Sequence, residues 1–599
     1  MAQLDPSQKL KKSLRLFDVY AIATGAMFSA EFFMLPGIAL SYTGPSVVLA
    51  YLISGILVLP AMFSQAELST AMPKAGGTYY FIDRSLGPMA GTVGGIGTWL
   101  SLIFKSAFAL IGIGAYLVLF VDLPIKPVAI ALTVAFTLLN IVGAKETGGL
   151  QRFLVTMLIG ILTLFILQGL IELLPAEEGA EMEGRLRPFL PFGIEGLLSA
   201  IGLVFAAYTG LTKVASVAEE VENPDRNIPL AMILSLGTAI FVYVVGVFLL
   251  VVYLDPVALQ NDYTPFATVA DKLMGWIPTP DALPHSTGVL LIVIAALAAF
   301  ASTGNAGILS ASRYPLAMAR DRLITRHFDK VSRFNTPTRS ILVTGCAMIV
   351  FILTLDVEGV AKLASAFNLL VFGLINLAVI VMRESHIPSY APGFRSPLYP
   401  WMQIVGILTS VVLIIEIGTL SIVFTLGIVA ASIGWYFYYA RNNADVEREG
   451  AIYHLFERLG RHRYEGLETE LHSILEEKGI TDTSDFEKLI ARASVIHLDE
   501  SAPYEEVVRE AARILARRTS VPEDKIVREF LGGSQFSGTA VTHGTALPYY
   551  LVSGLEEEEM VIVHCLSGIC IEFEEGLERE QTEPVYALFF LLSPRENQS

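Results

Sequence analysis

The most regular feature of the chain is a series of long apolar stretches separated by short polar links. A helix needs about 20 mostly apolar residues to cross the hydrocarbon core of a membrane. Stretches of that kind fall at residues 17–40, 46–71, 92–119, 127–143, 151–174, 195–217, 229–254, 286–311, 338–355, 360–382, 402–417 and 420–440. They predict twelve transmembrane helices and a mainly α membrane protein. Beyond Arg441 the spacing becomes that of a soluble fold. Ile452, Leu455, Phe456 and Leu459 recur at helical intervals ahead of Arg461-His462-Arg463, which suits a linker helix lying on lipid or on the tail. Ser501 is placed to cap a helix with Pro503 in its first turn, and Val507, Ala511, Ile514 and Leu515 then share one face. Pro522–Phe530 reads as a second helix, and Met560–Cys565 and Val585–Leu592 as short buried strands. The expected organisation is a membrane domain over 1–440, linker helices over 441–480 and a cytoplasmic α/β domain over 481–599.

Composition agrees with the pattern and removes several classes. Of the 599 residues 53% are hydrophobic and 17% charged, against about 25% charged in soluble domains. The net charge is −17, which argues against nucleic acid as a partner because a binder needs a basic face. Residues 441–599 carry 31 acidic and 16 basic side chains and so supply nearly all of that charge. Three cysteines exclude a disulfide scaffold and suit a reducing compartment. Nine scattered histidines show no metal-ligand spacing, and there is no Walker loop, so neither a metal nor ATP-driven pumping is expected. The basic run Lys9–Arg15 is followed by no small-residue cleavage site, so no leader is expected. Basic residues gather before the first stretch and in alternate links, among them Lys12, Arg15, Arg84, Lys145, Arg226, Arg320, Arg326, Arg383 and Arg441. The positive-inside rule then puts both termini and the tail in the cytoplasm, with Ala176–Glu183 facing outward.

Two stretches are interrupted. Gly25–Gly37 places Ser29, Ala30 and Glu31 mid-span before Pro36-Gly37, and Phe205–Lys213 is again small and polar at depth. They open successive groups of five. Glycine-interrupted helices at matching positions in two halves are the sequence mark of an inverted-repeat transporter. A broken helix frees backbone N–H and C=O groups, which lipid tolerates only where they line a cavity or meet a ligand. The freed groups suit the carboxylate and ammonium of an amino acid. The same glycines also serve where helices simply pack closely.

Three motifs sharpen this. Glu67-Leu-Ser-Thr-Ala-Met-Pro-Lys-Ala-Gly-Gly-Thr-Tyr-Tyr80 with Arg84 and Gly87-Pro88, Glu219–Pro229, and Ser312–Leu323 with Thr336-Pro337 together resemble the permeases of the amino acid–polyamine–organocation (APC) superfamily. The resemblance covers residues 15–440. It implies two inverted five-helix repeats plus two extra helices, alternating access and no covalent chemistry. It also implies substrate contacts at Gly25, Ser29, Ala30, Glu31, Phe205, Ala206, Tyr208, Thr209 and Gly210, with Ser29-Ala30-Glu31 unwound. Glu31 departs from the family, which often has glycine there.

Glu31 and Lys105 are charges inside apolar spans, where each costs about 2.5–3.5 kcal/mol on insertion scales unless partnered. Two roles are open to them: a proton-exchanging pair beside the substrate, or an ion pair that fixes helix register. Span 5 lacks the lysine that some proton-coupled relatives carry, and the family's alternative sodium position would draw on Ser302, Thr303 and the nearby Asn305. Mid-membrane hydroxyls more often bond their own helix, which favours protons over sodium. Glu416 lies outside the repeats and suits an interhelical hydrogen bond or a homodimer contact. In the tail, Arg528-Glu529, Gly538–Tyr549 and Phe589–Pro594 resemble the IIA domain of mannitol–fructose-type phosphotransferase systems. Tyr549 stands where that family has its phosphate-accepting histidine, and a phenol of pKa about 10 is no substitute. Cys565 and Cys570 are spaced too widely for a Cys-x-x-Cys site.

The sequence thus reads as a non-enzymatic secondary active amino-acid transporter of the cell membrane, proton-coupled, with no cofactor and a non-phosphorylating regulatory tail that binds a ligand or protein. An amino-acid or polyamine exchanger, an organic-cation carrier and a ligand-binding transceptor with little flux stay open.

Overall fold

The computed structural model describes residues 12, 14–73, 77–142, 148–173, 185–254, 262–277, 285–330, 332, 336–387, 389–441, 450–453, 489, 492–498, 502–519, 521–531, 540–542, 545–552, 555, 558–570 and 584–594. The chain divides into two compact units, residues 1–475 and 476–599.

The first unit is helical. In chain order its helices are α1 Leu16–Met27, α2 Ala30–Phe33, α3 Leu35–Thr43, α4 Val47–Leu57, α5 Leu59–Ala71, α6 Gly77–Leu86, α7 Pro88–Leu117, α8 Ile125–Val142 and α9 Gly148–Glu172. They continue as α10 Gly193–Val204, α11 Thr212–Ser216, α12 Pro224–Tyr253, α13 Pro265–Leu273, α14 Thr287–Arg320, α15 Thr338–Thr354, α16 Val357–Glu384, α17 Trp401–Ile417 and α18 Thr419–Trp435. Among the described residues, nine helical stretches are long and apolar enough to cross a membrane, and α1, α15 and α17 are shorter apolar helices beside them. One of the nine, Leu35–Ala71, is interrupted by Gly44, whose φ of +67° suits glycine, and by the 3₁₀ turn Gly44–Ser46.

Much of the permease-like motif sequence is helix punctuation. Gly87 (φ +84°) ends α6 and Pro88 opens α7, while Asn223 in the left-handed region precedes Pro224 at the start of α12. Proline at the first helical position gives up an N–H that had no partner there. Glu67 has a different task. Fully buried near the end of α5, it takes Arg383 of α16 on both oxygens at 2.8 and 2.6 Å. It also accepts the Tyr390 hydroxyl at 3.0 Å and the Ser396 N–H at 2.7 Å. Burial, with the Glu67 charge beside it, pushes the Tyr390 phenol up, so it remains the donor. One carboxylate thereby pins α5 to α16 and to the link that follows.

The second unit is α/β. Its sheet runs β1 (Ser494–Leu498), β5 (Glu559–Cys570), β6 (Pro584–Pro594), β3 (Thr545–Ala546), β2 (Ala540–Thr542), with β4 (Tyr549–Val552) also on β6. β1 is parallel to β5, β5 antiparallel to β6, and β3 and β4 parallel to β6. Helices α19 (Tyr504–Arg518) and α20 (Glu523–Leu531) supply Val507, Ala511, Leu515, Ile526 and Phe530 to a core with Val561, Val563, Leu588 and Phe590 of the sheet. The expected helices and strands are present, and Ile514 is half-buried at the edge of the expected face. Pro503 stands before the first turn of α19, so the helix starts two residues later than a cap at Ser501 would place it. Ser501 and the span Leu455–Arg463 lie outside the described residues.

Glu67→Gln leaves the half-buried Arg383 guanidinium without its counter-charge, a loss of about 1–3 kcal/mol. The expected outcome is a markedly lower thermal unfolding midpoint of the detergent-purified protein; an unchanged midpoint would show that the link after α16 holds without it.

Candidate functional site

The first interrupted stretch breaks where its residues permit. α1 ends at Met27, Phe28 (φ −72°, ψ 84°) and Ser29 (φ −135°, ψ −164°) leave helical geometry, and α2 resumes at Ala30. The unwound residues are therefore Phe28 and Ser29; Ala30 and Glu31, expected in the break, belong to the next helical turn. Ser29 makes no side-chain capping bond to α2; its hydroxyl turns to Met27 O at 3.3 Å and to the Glu31 carboxylate. The second break is the 3₁₀ segment Phe205–Leu211 between α10 and α11. Seven residues is long for a 3₁₀ helix, which seldom exceeds 3–4.

The two breaks touch. A Cβ on Gly210 would lie 2.5 Å from the Met27 nitrogen and 2.6 Å from the Ala26 carbonyl carbon, so only glycine lets the backbones approach this closely. Tyr243, Tyr51 and Ser365 reach carbonyls at the two breaks, while Tyr208 bonds to α4. The Tyr243 hydroxyl of α12 reaches the Met27 oxygen at 2.7 Å and the Ala207 oxygen at 3.2 Å, one from each break. Tyr51 donates to the Glu31 carbonyl at 3.2 Å, and Tyr208 donates to the Tyr51 carbonyl at 2.8 Å. Ser365 of α16 donates to Leu203 O at 2.6 Å and accepts Ala206 N–H at 3.1 Å. Phe32 stacks on Tyr243 with ring centroids 4.8 Å apart.

Charge enters from α7. Lys105 Nζ lies 3.8 Å from Glu31 Oε1 and donates to Thr209 Oγ1 at 3.2 Å, tying both breaks to one side chain. Glu31 is 1% and Lys105 6% exposed. Glu31 Oε2 accepts from Ser29 Oγ, whereas Oε1 is buried with no hydrogen-bond partner in the structure. The separation from Lys105 exceeds hydrogen-bond length.

All the residues singled out for substrate are buried: Gly25, Ser29, Ala30, Glu31, Phe205, Ala206, Tyr208, Thr209 and Gly210. Phe205 packs on Phe372 at 5.7 Å rather than standing free. On α14, Thr303 is buried with an unpartnered Oγ1, Ser302 is half-buried, and Asn305 accepts from Asn140 at 2.8 Å. Glu416 offers its backbone oxygen, not its carboxylate, to Ser199 at 2.7 Å. Among the described residues no group of three His, Cys, Asp or Glu is placed to hold a metal. Cys565 is buried, as a strand thiol would be.

Polar clusters lie to either side. Tyr42 donates to Glu358, which pairs with Lys362 at 2.7 Å. At the other, Tyr79 donates to Asp321 at 2.8 Å, and Arg84 pairs with Asp83 and reaches Asp321 at 3.8 Å. Sequence reasoning missed Tyr51, Tyr243 and Ser365. The available signal was a hydroxyl inside an apolar span, which must find a partner, but nothing in the spacing said which.

Tyr243→Phe removes the hydroxyl shared by the Met27 and Ala207 oxygens, leaving Met27 O with Ser29 Oγ at 3.3 Å, at a cost of about 1–3 kcal/mol, so a lower unfolding midpoint together with weakened substrate binding is expected. Gly210→Ala forces the breaks apart, an overpacking cost of about 1–3 kcal/mol. Gly237→Ala, where nothing lies within 4 Å, is the matched control and should leave stability and binding unchanged. Equal behaviour of the two alanine variants would remove the close approach as a constraint.

The family model described as "Amino acid permease" matches residues 18–438. The chain is 26% identical over 425 residues to the methylthioribose transporter of Bacillus subtilis, covering 67% of this chain and 87% of that protein. It is 29% identical over 416 residues to the vacuolar cationic amino acid transporter 2 of Arabidopsis thaliana, covering 66% of this chain and 62% of the relative. It is 26% identical over 474 residues to the branched-chain amino acid permease BcaP of Bacillus subtilis, covering 75% and 97%. With buried, broken, apolar helices and a family match over most of its length, the chain belongs to the amino acid permease family: it is a multi-pass membrane transporter and not an enzyme.

Proposed function

We propose that the protein is a proton-coupled secondary active transporter of neutral amino acids in the cell membrane. The observation that carries this reading is the meeting of two helix breaks beside a buried Glu31–Lys105 pair. Backbone groups at the breaks suit the carboxylate and ammonium shared by all amino acids. The pair is formally neutral, which suits a zwitterion better than a substrate with extra charge. Its loose geometry supports coupling: a pair held only for register is expected to close to hydrogen-bond length, whereas Oε1 stays open to a proton, a water or a substrate group.

In this reading the nine long stretches make twelve crossings when Leu35–Ala71 is divided at Gly44, its first part is joined to α1 through the break, and α15 and α17 are added. The breaks in the first and sixth fit two inverted five-helix repeats followed by two further helices. The basic links fit cytoplasmic termini. Substrate passes by alternating access, and the α/β unit regulates without phosphoryl transfer, Tyr549 lying on β4 where the IIA-like motif would place a histidine.

A second reading has one observation behind it. The unpartnered Oε1 of Glu31 also suits the ammonium of a cationic substrate or polyamine. Uptake into proteoliposomes decides between them. On the first reading neutral amino acids accumulate under an imposed proton gradient. Glu31→Gln and the Glu31→Gln, Lys105→Met double variant then lose gradient-driven accumulation while keeping exchange. If the double variant still concentrates substrate on the proton gradient, the coupling role is wrong. If only basic amino acids or polyamines move, and Glu31→Gln abolishes their binding, Glu31 recognises substrate instead.

A further inference from the structure

Away from the helix breaks the structure contains a cavity of about 220 Å³ between α7, α14, α15, α18 and the link after α14. Its walls include Trp99, Met318, Ile324, Phe328, Val343 and Trp435, and Thr325 is its one polar side chain. Both indoles have spent their polar edges on protein: Trp99 Nε1 donates to Thr344 Oγ1 and Trp435 Nε1 to Leu323 O, each at 3.0 Å. The walls are thus apolar, and the space exceeds the roughly 150 Å³ at which an apolar protein cavity stays dry and takes up benzene. Val343 is 41% exposed on the same helix as Leu342, Val350 and Leu353, also exposed, so one wall stands on an apolar outer face.

The link that closes the cavity is basic. Residues 320–339 carry Arg320, Arg322, Arg326, Lys330, Arg333 and Arg339 against Asp321 and Asp329. Asp329 pairs with Arg320 at 3.5 Å, and Asp321 is held by Tyr79 and Arg84. Arg326 and Lys330 are exposed and flank Phe328 in the chain, and Arg326 adjoins Thr325, so cationic heads lie next to two wall residues. An apolar cavity beside exposed cations is complementary to one kind of molecule, an alkyl chain with an anionic head.

We propose that this cavity is a binding site for an anionic phospholipid, with one acyl chain between Trp99 and Trp435 and the phosphate on Arg326 and Lys330. The lipid bridges α7, which carries Lys105, and α14, which carries Thr303, and so couples the bilayer to helices around the transport site. The site stands on the membrane character of the chain and does not depend on which substrate is carried.

The chain has four tryptophans, Trp99, Trp276, Trp401 and Trp435. A Trp276→Phe, Trp401→Phe background leaves emission from the two that line the cavity. The full-length protein in neutral detergent is titrated with phosphatidylglycerol or phosphatidylcholine bearing the same brominated chains, and quenching is read. Phosphatidylglycerol is expected to half-quench at about a tenfold lower concentration than phosphatidylcholine. Arg326→Gln with Lys330→Gln should erase that difference, and Val343→Phe, which narrows the cavity, should weaken quenching by both lipids. Equal potency of the two lipids overturns the head-group assignment. Quenching undiminished by Val343→Phe overturns the chain assignment, and equal displacement by soluble glycerol 3-phosphate would make this a free-anion site. If Val343→Phe shows no cooperative unfolding transition, the lipid comparison with the charge variant decides alone.

Discussion

A helix that breaks inside a membrane must give every freed backbone group a partner, and the membrane domain is arranged around that requirement. An unsatisfied carbonyl in hydrocarbon costs several kcal/mol, of order a protein's whole stability if repeated. The solution is not local. The Met27 and Ala207 oxygens, from breaks some 180 residues apart, meet one hydroxyl on Tyr243 of a third segment. Gly210 makes that sharing possible by letting the breaks touch, and Tyr51 and Ser365 meet further carbonyls beside them. The breaks are therefore one structure held by α4, α12 and α16.

Two buried carboxylates of the membrane domain differ in how fully their oxygens are partnered. Glu67 meets a bidentate guanidinium, a phenol and an N–H, so both oxygens are satisfied. Such a group has nothing left to offer a ligand, and its place in a permease-like motif is explained by the helices it joins. Glu31 is equally buried, yet one oxygen lacks a hydrogen bond and its counter-ion stands 3.8 Å away. The energetic cost of a buried ion pair is offset only by close geometry and saturated hydrogen bonding. Glu67 meets that condition and Glu31 does not, which leaves Glu31 as the carboxylate whose partners can change.

How much was legible in the sequence follows from which forces are local. Long apolar runs act within a few residues, so the spans at 92–119 and 229–254 could be read directly, although Gly87-Pro88 and Asn223-Pro224 start the helices four and five residues earlier. The break near Gly25–Gly37 was visible for the same reason, but its place shifted to Phe28-Ser29 because Ala30 and Glu31 accept helical geometry once Ser29 stands outside the helix start. Lys105 could be matched to Glu31 because charges in apolar spans are few. Tyr243 could not be matched to Met27 and Ala207, since many spans contain a tyrosine and pairing is set only in three dimensions. The sheet of the second unit shows the same limit: β5 and β6 were apparent as apolar runs, but β1 to β4 were not, and β1 beside β5 and β6 beside β3 join segments far apart in the chain.

The polar clusters to either side of the breaks differ in a way that bears on alternating access. Tyr42, Glu358 and Lys362 join α3 to the start of α16 through a carboxylate that both a phenol and an ammonium engage, with the ammonium also 5.0 Å over the Tyr42 ring. Tyr79, Asp83, Arg84 and Asp321 join α6 to the end of α14 through an arginine shared by two acids. Neither cluster contains a residue of the breaks, so each can part without stranding a carbonyl that Tyr243, Tyr51 or Ser365 satisfies. The contacts that hold the breaks together and those of the two clusters are thus on separate side chains. Under the proposed alternating access, opening at one cluster would leave the contacts of the breaks in place.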